Sequence, residues 1–186
     1  MAWELKGHFP KILDDPQQGG EARKLYADAQ QLLDEIVRRK SLTARAVVGF
    51  FPVNSVGDDI EVYADESRKE VVTVFHSLRQ QAVKYDGRPY YAISDFIAPR
   101  STGRPDYLGG FAVSTGFGTA ELAQKFEKDH DSYRGILVKA LSDRLAEAFA
   151  ERMHELVRKK YWGYAPDENL TNEEMFQCRY QGIRPA

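Results

Sequence analysis

Between Glu21 and Lys40 the apolar residues Ala22, Leu25, Tyr26, Ala29, Leu32, Leu33, Ile36 and Val37 recur at intervals of three and four. That spacing predicts a helix with one buried face. Gly19 and Gly20 precede it, and Arg38, Arg39 and Lys40 close it, where the helix dipole favours positive charge. The period then changes. "ARAVVGFF", the alternation Ile60-Glu61-Val62-Tyr63 and "VVTVF" at 71–75 are runs of strand formers, and they predict three strands. The linkers between them, "NSVGDD" and "ADESRKE", are short and rich in turn residues, which favours antiparallel hairpins over parallel crossovers. "YYAISDFIA" and "DYLGGFAV" read as two further strands on either side of the turn-rich "PRSTGRP".

The longest periodic signal runs from Tyr133 to Leu156, with Tyr133, Leu137, Leu141, Leu145, Phe149 and Met153 on every fourth position and Ile136, Ala140 and Ala148 widening the stripe. A helix of that length spans about 40 Å and is expected to be the backbone of the core. Near the end, Thr171 and Glu174 have the spacing of a capping box, with Leu170 placed to staple onto Met175. Helix, then strands, then helix is an α+β order, since no long helix separates the strands. No internal repeat, low-complexity tract or domain boundary interrupts it, so the chain reads as a single domain, 1–186.

Composition narrows the function classes. An apolar fraction of 42% and an aromatic share of 12% are those of a folded globular chain. A net charge of -2 supplies no basic field, which argues against nucleic acid as a partner. No apolar run approaches the roughly 20 residues of a membrane span, and "MAWELKGHFPKIL" lacks the apolar centre of a signal peptide. The lone Cys178 cannot form an internal disulfide, and a cytoplasmic location is expected.

Candidate chemistry is sparse. His8, His76, His130 and His154 are scattered, and "MHELVRK" lacks the second histidine of a zincin helix, so no metal site is expected. "STGFGTAEL" lacks the third glycine of a dinucleotide fingerprint and reads as a turn into the next helix. Cys178 has no histidine base nearby in sequence and reads as an idle thiol. Asp143, Arg144, Glu147 and Glu151 border the apolar stripe of the long helix. The plainer reading of them is a solvated ion-pair face. The sharper one is a half-sheltered carboxylate facing a cationic ligand group, and spacing does not decide between them. Arg184 precedes Pro185, which holds it in an extended conformation, and Gly182 permits close backbone approach. A guanidinium pinned there suits a carboxylate, which it can grip through two parallel hydrogen bonds.

The segments "VKALSDRLAEAFAERMHELVRKKYWGYAPDENLTNEE" and "YQGIRPA" resemble the activation domain of cobalamin-dependent methionine synthase. The likeness extends through "WELKGHFPKILDD", "GGEARKLYADA", "VVGFFPVNSVGDDIEVY", "LRQQ", "SDFIAP" and "DYLGGFAV", essentially the whole chain. It implies an α+β fold with a twisted antiparallel sheet packed with the long helix and a shorter N-terminal helix. It implies a reactivation module that binds S-adenosylmethionine and docks on the cobalamin-binding domain of the same polypeptide when the cofactor has become Co(II). A flavodoxin or a diflavin reductase gives the electron, and the methyl group passes to cobalt. The cobalamin is held by that partner domain, not by this chain, and the whole is a methyltransferase acting on 5-methyltetrahydrofolate and homocysteine.

By the same resemblance Arg184 holds the ligand carboxylate, Pro185 and Ala186 line the site with their backbone, Glu147 lies near the cationic groups, and Asp143 meets the cobalamin domain. Family members continue past "RPA" into a Pro-Gly-Tyr-Pro loop and begin with an earlier Asp-Trp segment. The chain is therefore expected to be a partial domain, truncated at both ends, with weak ligand binding, little activity alone and an unpaired sheet edge prone to self-association. Two other readings remain open: a noncatalytic docking module, with Arg158, Lys159 and Lys160 attracting an acidic partner, and a free-standing S-adenosylmethionine binder.

Overall fold

The computed structural model describes residues 5–85 and 87–182. The chain forms two compact units, Met1–Ala46 with Val113–Pro166, and Val47–Ala112 with Asp167–Ala186.

The first unit is helical. Helix α1 (Gly19–Arg39) ends on Lys40, whose left-handed backbone lets its N–H reach the carbonyls of Ile36 and Val37. Helix α2 (Thr119–Lys128) and helix α3 (Ser132–Leu156) follow closely in the chain. Asp131 caps α3 by accepting the Arg134 backbone N–H at 3.0 Å, which satisfies one of the orphan donors of the first turn. The three helices bury Leu32 and Ile36, Ala123 and Phe126, and Leu137 and Val138 in one core, with Leu25, Ala29, Leu42, Leu122 and Leu141 at its margin.

The predicted ends of the long helix hold, but its every-fourth stripe does not stay buried. Tyr133 is 40% and Ile136 48% exposed, whereas Gly135, Leu137, Val138 and Ser142 turn inward. Four residues advance about 400° around an α-helix, so a strict fourfold repeat drifts by about 40° per step. The inward face is instead made by residues three and four apart. Its polar member, Ser142, is satisfied: its carbonyl accepts from Thr115 Oγ1 at 2.7 Å and its hydroxyl from Thr119 Oγ1 at 3.0 Å.

Strands β1 (Thr43–Val56), β2 (Asp59–Tyr63), β3 (Val71–His76) and β4 (Asp106–Phe117) form one sheet in the order β3-β2-β1-β4. The α+β class is as the sequence predicts. β1 and β2 pair antiparallel from Val53↔Val62 to Val56↔Asp59, leaving Gly57 and Asp58 as the loop, with Gly57 at φ +61°. "NSV" thus belongs to the strand and not to the turn. β2 and β3 pair antiparallel from Asp59↔His76 to Tyr63↔Val71, with a register shift between Val62 and Tyr63. Val53, Ile60, Val62 and Ile97 form the core of the second unit, with Leu108 packed against it.

"YYAISDFIA" is not a strand. It folds into a 3₁₀ turn, Ile93–Phe96, flanked by extended chain. Side chains satisfy this backbone in place of a ladder: Asp95 accepts the Ala92 N–H at 2.9 Å, Ser55 Oγ donates to the Ile97 carbonyl at 2.9 Å, and Asn54 Nδ2 donates to the carbonyls of Ala98 at 2.9 Å and Arg104 at 2.8 Å. Local side-chain bonds of this type compete with sheet pairing, and periodicity does not reveal them.

"STGFG" continues β4 to Phe117, and the turn into α2 rests on Gly118 alone, at φ +96°. A Cβ there would come within 2.5 Å of the Ser41 carbonyl oxygen, so the position accepts only glycine.

Candidate functional site

Helix α3 presents the described part of the candidate site. Asp143 and Glu147 are both exposed and lie one turn apart on it. Glu147 pairs with Arg144 at 2.9 Å, and the two side chains are 64% and 70% exposed. Arg144 also borders an apolar groove of about 270 Å³ between α1, α3 and the segment before α1, whose walls include Phe9, Tyr26 and Leu141. Spacing on the helix therefore predicts a true ion pair, and the geometry of Glu147 is that of the plainer reading, a member of a solvated charged face. Arg184, Pro185 and Ala186 lie outside the described residues.

The basic run after α3 has a different structure from the one its sequence suggests. Val157–Tyr161 is a turn of π-helix, with the Trp162 N–H donating to the Val157 carbonyl at 2.9 Å. Arg158 is 1% exposed, and its Nη1 lies 2.8 Å from His154 Nδ1. A guanidinium can only donate, so in this hydrogen bond the imidazole nitrogen is the acceptor. Lys159 pairs with Glu155 at 3.6 Å. Arg158 is thus an interior group rather than a cation offered to a docking partner.

Three constellations escaped sequence reasoning. In the first unit, Tyr133 donates its hydroxyl to Asp28 at 2.8 Å above a cavity of about 300 Å³ lined also by Gln31, Asp131 and Arg134. Burial first, then the Asp28 hydrogen bond, pushes the Tyr133 phenol up to about 12. In the second unit, Arg68 donates to the Val53 carbonyl at 2.8 Å, Asn54 Oδ1 at 3.2 Å and the Asp106 carbonyl at 3.0 Å. Its guanidinium carbon lies 5.6 Å from the ring centre of Tyr63 and 5.3 Å from that of Tyr107. Arg68 sits in the turn "ADESRKE", where no periodicity marks a residue as structural; its positive φ of 53° shows only in three dimensions. Arg79 joins Asp58 to Asp95, and this pairing holds the Asp95 carboxyl below the usual carboxylate range.

Among the described residues no group of three or more His, Cys, Asp or Glu side chains could hold a metal ion, and no helix is long and apolar enough to cross a membrane.

The family model for the activation domain of vitamin B12 dependent methionine synthase matches residues 1–186. The chain belongs to this family. The crystal structure of the MetH reactivation domain bound to AdoHcy is similar to it at 55% sequence identity and a TM-score of 0.88. The match covers 100% of this activation-domain chain and 57% of the chain in that crystal, so the present chain spans a little over half the length of that relative.

Proposed function

We propose that this chain is part of the reactivation module of a cytoplasmic cobalamin-dependent methionine synthase, a methyltransferase acting on 5-methyltetrahydrofolate and homocysteine. In this reading it helps bind S-adenosylmethionine and docks on the cobalamin-binding domain of the same polypeptide. One observation carries the proposal: 55% identity, over all of the chain, to a reactivation domain with AdoHcy bound. AdoHcy is what S-adenosylmethionine becomes once its sulfonium methyl has been given away.

On the side of this chain, the Arg184 guanidinium grips the ligand carboxylate and the backbone of Pro185 and Ala186 lines the site, while Glu147 faces the sulfonium or ammonium. The ion pair of Glu147 with Arg144 is no obstacle. Such exposed pairs contribute less than about 1 kcal/mol, so a ligand cation can displace the arginine. Asp143, one turn away, belongs to the surface that meets the cobalamin domain. Cobalamin, held by that partner domain and not by this chain, would supply the nucleophile that accepts the methyl group once a flavodoxin or diflavin reductase had provided an electron.

The test is calorimetric titration of S-adenosylmethionine into the native polypeptide that carries this chain. Arg184→Ala is expected to weaken binding by about 10- to 100-fold, the worth of charge-assisted hydrogen bonds. Glu147→Gln is expected to weaken it by several-fold. Asp143→Asn is expected to slow reactivation while leaving ligand affinity unchanged. Equal affinity in wild type and the Arg184 and Glu147 variants would reject the site, and retention of the cobalamin domain in that case would favour the pure docking module.

A further inference from the structure

Between Val138 and Met153, the part of α3 that carries Asp143 and Glu147, the one buried residue is Ser142, 6% exposed. Two elements grip it. Thr115, buried on β4, donates its hydroxyl to the Ser142 carbonyl at 2.7 Å, and the Ser142 hydroxyl donates back to the Thr115 carbonyl at 3.4 Å. Thr119, the first residue of α2, donates its own hydroxyl to Ser142 Oγ at 3.0 Å. The three residues clasp β4 and α2 onto α3, and all lie in the first unit. Satisfying the backbone does not require the Thr115 bond. Inside α3 the Ser142 carbonyl has the Ala146 N–H as its helical partner, so the threonine hydroxyl is a second donor on its other lone pair.

What the second donor adds is direction. Apolar burial holds helices together but is non-directional, whereas a hydrogen bond fixes angle as well as distance. Asp143 follows Ser142 directly and Glu147 lies five residues on, so at about 100° per residue they stand about 100° and 140° around the helix from it. Their side chains reach about 5–6 Å from the axis, and a roll of about 10° carries them about 1 Å. A displacement of about that size is enough to spoil an aligned reaction. The clasp lies on the buried side of α3, so the tie is the same whatever meets the outer face.

We propose that Thr115 is a positioning residue of the ligand site: through Ser142 it sets the roll of α3, and hence where Glu147 meets the ligand cation and Asp143 the cobalamin domain. The role presupposes the proposed binding of S-adenosylmethionine at Glu147. Substitution separates it from a merely structural one. Valine keeps the shape of threonine, suits a strand and loses only the hydroxyl, while serine keeps the hydroxyl and loses a buried methyl. Stability alone does not rank serine above valine at this position, whereas positioning does.

Calorimetric titration of S-adenosylmethionine into the native polypeptide is expected to show binding about two- to fivefold weaker in Thr115→Val and unchanged in Thr115→Ser, with reactivation about tenfold slower in the first and unchanged in the second. In a Glu147→Gln background Thr115→Val is expected to cost no further affinity, since the two act through one contact. Wild-type behaviour of Thr115→Val, an equal loss in Thr115→Ser, or full additivity with Glu147→Gln overturns the proposal. Unchanged affinity in Glu147→Gln rejects the binding site instead. The clasp is then decided without ligand, by amide exchange over 143–147: faster in Thr115→Val than in wild type and Thr115→Ser if the hydroxyl holds the helix, equal in all three if it does not. Urea unfolding establishes that each variant is folded. Should Thr115→Val fail to fold, Ser142→Ala, which helix propensity tolerates, removes the other side of the clasp and carries the same expectations.

Discussion

Arg68 ties three segments of the second unit together, because from the turn after β2 it reaches acceptors on β1 and at the start of β4. Its side chain is only 16% exposed, so truncation strands those acceptors away from full hydration. Arg68→Ala is expected to destabilise the chain by about 2–3 kcal/mol in urea unfolding. Lysine should not rescue it, since an ammonium lacks the planar fork. Tyr133 gives a second test, by pH. Its phenol titrates near 12 in the folded chain, above the ordinary value of 10.0, so the folded state holds the proton more tightly. The resulting stability is complete below pH 10 and is lost as pH rises toward 12. Tyr133→Phe should flatten that alkaline decline, which thermal melts across the window will show. Glu35 has the opposite sign: its pairing with Arg134 lowers its carboxyl, so its contribution is present above the ordinary carboxylate range and fades as the solution is acidified below it. Neither Arg68 nor Tyr133 could be singled out from sequence, because each acts through partners brought close only by folding. The pairing of Arg144 with Glu147 could, because a helix fixes the spacing of its own side chains.

At the scale of elements, period and caps were the legible part. α1 and α3 lie where apolar spacing puts them, and the capping box is real: Glu174 Oε2 accepts the Thr171 N–H at 2.9 Å while Thr171 Oγ1 accepts the Glu174 N–H at 3.3 Å, opening α4 (Asn172–Phe176). Thr171→Ala is expected to cost about 1 kcal/mol, read as faster amide exchange in α4. The failure at 90–98 has a physical cause, since β-formers in a row cannot reveal that Asp95 and Ser55 will claim the backbone first. Glycine in α1 offers a gain. A Cβ on Gly20 would meet nothing within 4 Å, so Gly20→Ala should stabilise the chain by about 0.5–1 kcal/mol through reduced freedom of the unfolded state. A shift in the urea midpoint will measure it.

For the molecule as a whole, charge sets what it can meet. A net charge of -2, spread over both signs, gives no field for polyanions. The chain is expected to pass through a heparin column at physiological salt without retention. Family membership and fold were both readable from the order of motifs along the chain, because a whole series of short segments constrains a fold far more than any one of them. The ligand site was not, since the role of Arg184 comes from the resemblance and not from spacing or period.

Gly118 limits how the protein can be altered by engineers or by drift. Torsion and space restrict the same atom, so there is no graded series of replacements there: alanine already collides with the Ser41 carbonyl. A library of variants should show this position blank while its neighbours tolerate change, and a reporter inserted into the chain is better placed at the Gly57 hairpin, where the surroundings are open.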